Sequence, residues 1–290
     1  MNNAGLYLIT VLIWGSTWLA IEFQLGVVAP EVSVVYRYAI ASFLLFIYCI
    51  IRKLPLNFKL NTHIWFASLG LFLFCLNYIF AYRAQVHITS ALTAIVFSTI
   101  LWINILLSRL LFGTRAGGRV LLGAALGISG IVVLFAPHVG TFNLSDTVFI
   151  GSLLAGCGAF SASCGNMVSQ AAQSRALPVM QANAWGMLYG AILTAAIALA
   201  QGLEFNFDAT FTYISSLAYL AIFGSVIAFG AYLTLLGRIG AHKAGYATVM
   251  FPVVALLLSM AFEGLRPDAS IIGGTTLVLL GNLLVLKRGR

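Results

Sequence analysis

The chain has 290 residues, 61% hydrophobic and only 8% charged, with a mean hydropathy of +1.03. No soluble domain covers that much apolar surface, so composition points to a polytopic helical membrane protein. The net charge of +8 does not indicate a nucleic-acid partner, because the basic residues fall between apolar runs rather than in one patch.

A membrane span needs about 20 predominantly apolar residues. Ten candidate spans follow in order, at 4–23, 32–51, 64–83, 90–112, 120–136, 148–171, 178–200, 213–236, 243–263 and 270–286. Met1 to Gly5 carries no Lys or Arg. It lacks the basic start of a cleaved signal peptide, and the first apolar run is expected to be retained. The fifth and tenth spans are short and are expected to stand nearly upright or at the periphery. Cys49, Cys75, Cys157 and Cys164 all lie inside apolar runs, which suits small core residues better than disulfides.

The chain contains one stretch twice. Ala91 to Leu134, shifted by 151 residues without a gap, falls on His242 to Val285. Leu106, Ser108, Gly113, Arg115, Gly123 and Gly130 then meet Leu257, Ser259, Gly264, Arg266, Gly274 and Gly281. Such self-similarity indicates a duplicated unit. The expected organisation is a first five-helix repeat at 1–136, a connecting loop at 137–147 and a second at 148–290.

Charge gives the topology. Arg52, Lys53, Lys59, Arg109, Arg115, Arg119, Arg175, Arg238, Lys243, Lys287, Arg288 and Arg290 share one side of a ten-span chain, against Arg83 and Arg266 on the other. The positive-inside rule then puts both termini in the cytoplasm. Five spans per repeat is odd, so the second repeat enters inverted. The expected fold is an all-α polytopic membrane protein of ten transmembrane helices in two inverted five-helix repeats. Such repeats place a substrate site near the midplane, between them.

The first span carries LIWGSTWLAIE, with Trp14, Gly15, Ser16 and Thr17 in its middle. The second has Pro30, then Arg37 and small residues. Each repeat ends in a long span, a short charged break and a glycine-spaced last span. These three features resemble the opening motif, the second-span pattern and the repeat ends of the EamA-type ten-span exporters of the drug/metabolite transporter superfamily. The chain departs from the pattern at Leu101, where the family commonly has proline, and at Phe112, where it often has glutamate; the second repeat keeps Pro252 and Glu263. The resemblance covers the whole chain and implies export or facilitated movement of small metabolites, amino acids among them.

No HExxH, phosphate-binding loop or metal-spaced Cys/His set occurs, so no catalytic residue, metal or cofactor is expected. His63, His87, His138 and His242 fall at span ends or in loops. In the third span Tyr78, Tyr82 and Gln85 share a helix face beside Asn77. A polar stripe is costly against lipid and is expected to face the bundle or a cavity. Ala91, Ala94, Ser98 and Trp102 form a stripe in the fourth span. Trp102 lies mid-span, far from the interfaces where Trp anchors to lipid, and is expected in a cavity wall. Gly123, Gly127 and Gly130, with Gly273, Gly274 and Gly281, suit close helix packing, with a homodimer left open. Pro252 removes one helix hydrogen bond and can hinge the ninth span.

The reading is an inner-membrane transporter of a small organic metabolite. Its cavity is walled by spans 1, 3, 4, 6, 8 and 9, with the lipid bilayer and the metabolite as partners and no nucleic acid. Candidate substrate contacts are Trp14, Ser16, Asn77, Tyr78, Tyr82, Ser98, Trp102, Tyr232 and Tyr246. Glu22, Arg37 and Pro252 are structural or gating candidates, with Glu22 and Arg37 expected to pair. Two alternatives stand beside it: a channel-like pore, and the same fold moving nucleotide sugars or sugar phosphates. The latter needs buried Lys or Arg for phosphate, and only Arg37 is clearly inside a span.

Overall fold

The computed structural model describes residues 1–139, 146–254 and 269–286, and every regular element among them is helical. The helices are α1 (Asn3–Glu22), α2 (Pro30–Ile51), α3 (Leu60–His87), α4 in two pieces (Ser90–Phe97 and Ile100–Phe112), α5 (Gly118–Val139), α6 (Asp146–Ser174), α7 (Val179–Ala200), α8 (Phe211–Ile239), α9 (described over 241–254) and α10 (Ala269–Leu286). Seven stretches, those of α1 to α4 and α6 to α8, are long and apolar enough to cross a membrane by length and composition. In α5 and α10 the qualifying apolar stretches are shorter, Gly118–Val133 and Ile272–Gly281. Most of the expected connecting loop, and Glu263 with the far part of the ninth span, lie outside the described residues.

Local chemistry sets the helix starts. The Asn2 side chain accepts from the Gly5 amide at 2.8 Å to open α1, and Pro30 opens α2, where its missing N–H loses no helix bond. Thr89 and Thr210 accept amides at the starts of α4 and α8, satisfying donors that an α-helix leaves unpaired.

The helices that carry the site are irregular. In α3 the turns Gly70–Leu76, and in α8 the turns Leu220–Ile227, are π-helical. These two stretches coincide, to one residue, under the same 151-residue shift. Widened turns free backbone carbonyls, a feature common at functional sites. Here Ser161 Oγ donates to the Phe72 carbonyl at 2.7 Å and the Trp14 indole N–H to the Gly224 carbonyl at 2.9 Å. The breaks in α4 and α9 also correspond. Helix α4 breaks at Ser98–Thr99 and α9 at Met250. In α4 the break follows from back-bonding: Ser98 Oγ donates to the Ala94 and Ile95 carbonyls, and Thr99 Oγ1 to that of Val96, which bends helices. In α9 the break precedes Pro252, which sits in the first turn of the next piece, where proline is tolerated.

Helix α5 packs along α10, α2 along α7, α3 against α6 and α1 against α8. The α5–α10 contact is reciprocal. A Cβ on Gly130 would stand 2.6 Å from the Gly274 carbonyl oxygen, and one on Gly281 2.7 Å from that of Gly123. Gly123 maps to Gly274, and Gly130 to Gly281, by the shift that revealed the duplication. These glycines are used within the chain, for close helix approach.

Candidate functional site

A cavity with an empty volume of about 540 Å³, part of it open solvent, lies between helices α1, α3, α4, α6, α8 and α9. Helix α1 contributes Trp14, Thr17, Trp18 and Ile21, and α3 contributes Leu73, Asn77, Tyr78 and Ala81. Phe97 and Ile100 come from the two sides of the α4 break. The other half adds Ala162 and Asn166 from α6, Phe229 and Tyr232 from α8, and Thr248 and Phe251 from α9.

Seven of the sixteen lining residues are aromatic, and their rings hold one another in place. Trp14 stands 4.7, 4.9 and 5.8 Å, centroid to centroid, from Phe229, Tyr232 and Phe251. Trp18 packs on Phe97 at 4.9 Å, and Tyr78 on Tyr38 at 5.1 Å. Edge-to-face pairs at these separations add to the area they bury.

Few polar groups reach this wall, and their pairing is incomplete. Asn166 Nδ2 donates to the Tyr232 hydroxyl at 3.0 Å and to Asn104 Oδ1 at 3.3 Å, and Asn104 Nδ2 donates to the Ala241 carbonyl at 3.3 Å. That chain ties α4, α6, α8 and the start of α9 together on one side of the cavity. Asn77 Nδ2 donates to the Leu73 carbonyl at 3.2 Å. The carbonyl oxygens of Asn77 and Asn166, and the indole N–H of Trp18, have no partner among the described residues. Buried polar groups are normally satisfied, so these three lining residues hold capacity for a ligand or water.

Behind the wall stands a basic residue well inside α2. Arg37 is fully buried, at a cost of roughly 2.5–3.5 kcal/mol on membrane-insertion scales. Its Nε donates to Ser225 Oγ at 2.9 Å, and Nη2 reaches the Tyr78 hydroxyl at 3.4 Å. The Tyr78 and Tyr38 rings stand 4.4 and 5.4 Å from the guanidinium carbon, within cation–π range.

Among the residues singled out from sequence, Trp14, Asn77, Tyr78 and Tyr232 lie in the wall. Tyr82 is fully buried one ring behind, 6.5 Å from Tyr78. Ser98 is buried and folded back on its own helix. Ser16 is outside the wall and shares a hydrogen bond with Tyr219 at 2.6 Å. Tyr246 is buried in the core beyond the lining set.

Two expectations are corrected by the structure. Trp102 faces outward, 37% exposed. The break at Ser98–Thr99 shifts the helical phase, so the stripe through Ala94 and Ser98 continues at Leu101 and Asn104, both fully buried, and not at Trp102. The Glu22–Arg37 ion pair is also absent. Glu22 is exposed, Arg37 bonds neutral groups, and the ion pair among the described residues joins Arg83 to Glu31. Glu31 opens α2 six residues before Arg37, too far along the helix to serve it.

Sequence reasoning missed Trp18, Phe97, Asn166, Phe229 and Phe251. Trp18 had a signal, standing one turn after Trp14 on the same face. Asn166 had another, an amide deep in an apolar run, where it must find a partner away from lipid.

Comparison with known proteins closes the assignment. A relative from Escherichia coli K12, described as a probable amino-acid metabolite efflux pump, is 29% identical over 279 residues, covering 91% of this chain and 90% of its own. The uncharacterized inner membrane transporter YedA of the same organism is 29% identical over 258 residues, covering 87% and 80%. One protein of known crystal structure superposes with a TM-score of 0.79 at 20% identity, over 98% of this chain and 96% of the other, which shows a shared fold. The profile of the EamA-like transporter family matches residues 3–136 and 149–287. The chain belongs to the EamA-like transporter family.

Proposed function

We propose that the chain is an inner-membrane exporter or facilitator of small organic metabolites, amino acids among them. It works by alternating access around the central cavity, between two inverted five-helix repeats with both termini cytoplasmic. The observation that carries this reading is the composition of the wall. Three helices come from each half, and they are equivalents: α1 with α6, α3 with α8, α4 with α9. A site shared by repeat-equivalent helices is what rocking of one half against the other requires. The matched π-helical turns, the matched breaks and the reciprocal glycine contacts of α5 and α10 support the duplication. The names of the relatives support the substrate class. An aromatic wall with unpaired amide oxygens suits a compact amphipathic metabolite.

The described lining contains no Lys or Arg, which disfavours nucleotide sugars and sugar phosphates. The test is release from reconstituted liposomes preloaded with mixed metabolites and read by mass spectrometry. Saturable release of a few compounds, with counterflow, is expected. Unsaturable flux without counterflow would replace the transporter with a pore, and no release beyond protein-free vesicles would end the proposal.

A further inference from the structure

Arg37 has an unmet electrostatic need. Its charge is fully buried, and no carboxylate among the described residues lies within ion-pair distance of it. Glu31, the acidic residue of its own helix, is engaged by Arg83. Neutral oxygens and ring faces take up two of its nitrogens, and the Tyr82 hydroxyl stands beside the guanidinium, while Nη1 has no placed acceptor among the described residues. Buried charges are ordinarily paired, and neutral partners offset only part of what desolvation removes.

The direction of one hydrogen bond says where compensation can come from. A guanidinium only donates. The Tyr78 hydroxyl, at 3.4 Å from Nη2, must therefore accept from it and keeps its own proton for another acceptor. Tyr78 lines the cavity and Arg37 does not. A phenol that accepts from a cation is a stronger donor towards an anion on its other side. The asparagines fit the other end of such a ligand. Asn77 and Asn104 each give their amide nitrogen to a backbone carbonyl, which fixes the orientation of both, and Asn104 in turn fixes Asn166. The atoms left free on Asn77 and Asn166 are thus both acceptors, suited to N–H donors.

We propose that Tyr78, held and polarised by Arg37, is the carboxylate-binding group of the cavity, and that the transported metabolite bears a free carboxylate. Tyr78 touches the substrate; Arg37 is a positioning residue acting through it. This inference rests on the transport reading above and narrows its substrate class.

The experiment uses proteoliposomes preloaded with equimolar triplets: an amino acid, its carboxamide and its decarboxylated amine. Small, aliphatic and aromatic side chains are all included, and release is measured against protein-free vesicles. The carboxylate of each transported triplet is expected to leave faster than its two partners by about tenfold or more, the scale of one charge-assisted hydrogen bond. Tyr78→Phe, which keeps the ring and its packing, should cut that preference to a few-fold or less in a protein that stays monodisperse in detergent. Arg37→Gln should do the same, and Arg37→Lys should restore part of it. A merely structural role would lower all rates together and leave the ratio alone. Amides or amines leaving as fast as their acids overturns the carboxylate requirement, and an unchanged ratio in Tyr78→Phe overturns the role of Tyr78, transport standing in both cases. Release of nothing at all overturns transport itself and this inference with it.

Discussion

Where α2 begins and α3 ends, the buried Glu31 carboxylate meets the half-exposed Arg83, whose Nη2 also donates to Gln201 at 2.8 Å just beyond α7. Glu22, nine residues earlier, is exposed. The contrast makes a prediction. Glu31→Gln should destabilise the protein by roughly 1–2 kcal/mol, less than a fully buried pair because Arg83 remains partly in solvent. Glu22→Gln should fall within about 0.5 kcal/mol of wild type. Thermal melts in one detergent compare the two; equal shifts would show that the Glu31–Arg83 pair holds nothing together. A second prediction concerns the wall. Trp14→Ala removes the ring shared by Phe229, Tyr232 and Phe251, and Asn166→Leu removes an unpaired acceptor of similar size. Each should raise the half-saturation concentration by roughly tenfold, on the scale of one to two kcal/mol of contact. Ser16→Ala and Trp102→Ala, outside the wall, should leave it unchanged. Wild-type kinetics in folded Trp14→Ala and Asn166→Leu proteins would take both out of the binding site.

Among the elements, the long spans were legible because twenty apolar residues between charged breaks leave little choice but a helix in a bilayer. Trp14, Asn77, Tyr78 and Tyr232 were legible for a related reason: large polar-tipped side chains at mid-depth are costly against lipid. What could not be read was where helices deviate from an ideal phase. The face counted through Ala94, Ser98 and Trp102 assumed a straight helix, and two side chains bonding back to carbonyls of the preceding turn sufficed to misplace Trp102. The π-helical turns of α3 and α8 were equally invisible, since Gly70–Leu76 and Leu220–Ile227 are ordinary apolar sequence. Arg37 was recognised as buried but given the wrong partner, because depth along a span does not say which way a long side chain turns. The glycines of α5 and α10 carried a readable signal, and their reciprocal contact gives an element-scale test. Gly130→Val and Gly281→Val put new methyl groups where backbone of the facing helix already lies. Each should cost about 1–3 kcal/mol through overpacking, with similar loss of melting temperature because the two sites are equivalent. Gly118→Val, beside which nothing lies within 4 Å, serves as the control; if it is as damaging as the other two, close packing is not what the glycines provide.

For the whole molecule, the cavity bears on how transport is driven. A proton-coupled carrier needs a group inside the bundle that gains and loses a proton as the site turns from one side to the other. Among the described lining residues there is no Asp, Glu or His. Glu22 is exposed, Glu31 is held by Arg83, and His63 bonds the Tyr189 hydroxyl at 2.8 Å away from the cavity. The buried charge nearest the wall belongs to Arg37, and a guanidinium does not release its proton in the working range. Its charge is therefore the same in every state of the cycle and can select a substrate without coupling it to a proton. We expect facilitated diffusion or exchange. In sealed proteoliposomes with substrate on one side only, flux should run downhill without any ion gradient. Substrate on the opposite side should accelerate it by exchange, and a protonophore should leave the rate unchanged. An imposed pH difference that drives accumulation against the substrate gradient, and collapses with the protonophore, would refute the expectation. Repeating that measurement with Glu22→Gln and Glu31→Gln would then show which carboxylate carries the proton, since coupling through either must disappear when its charge is removed.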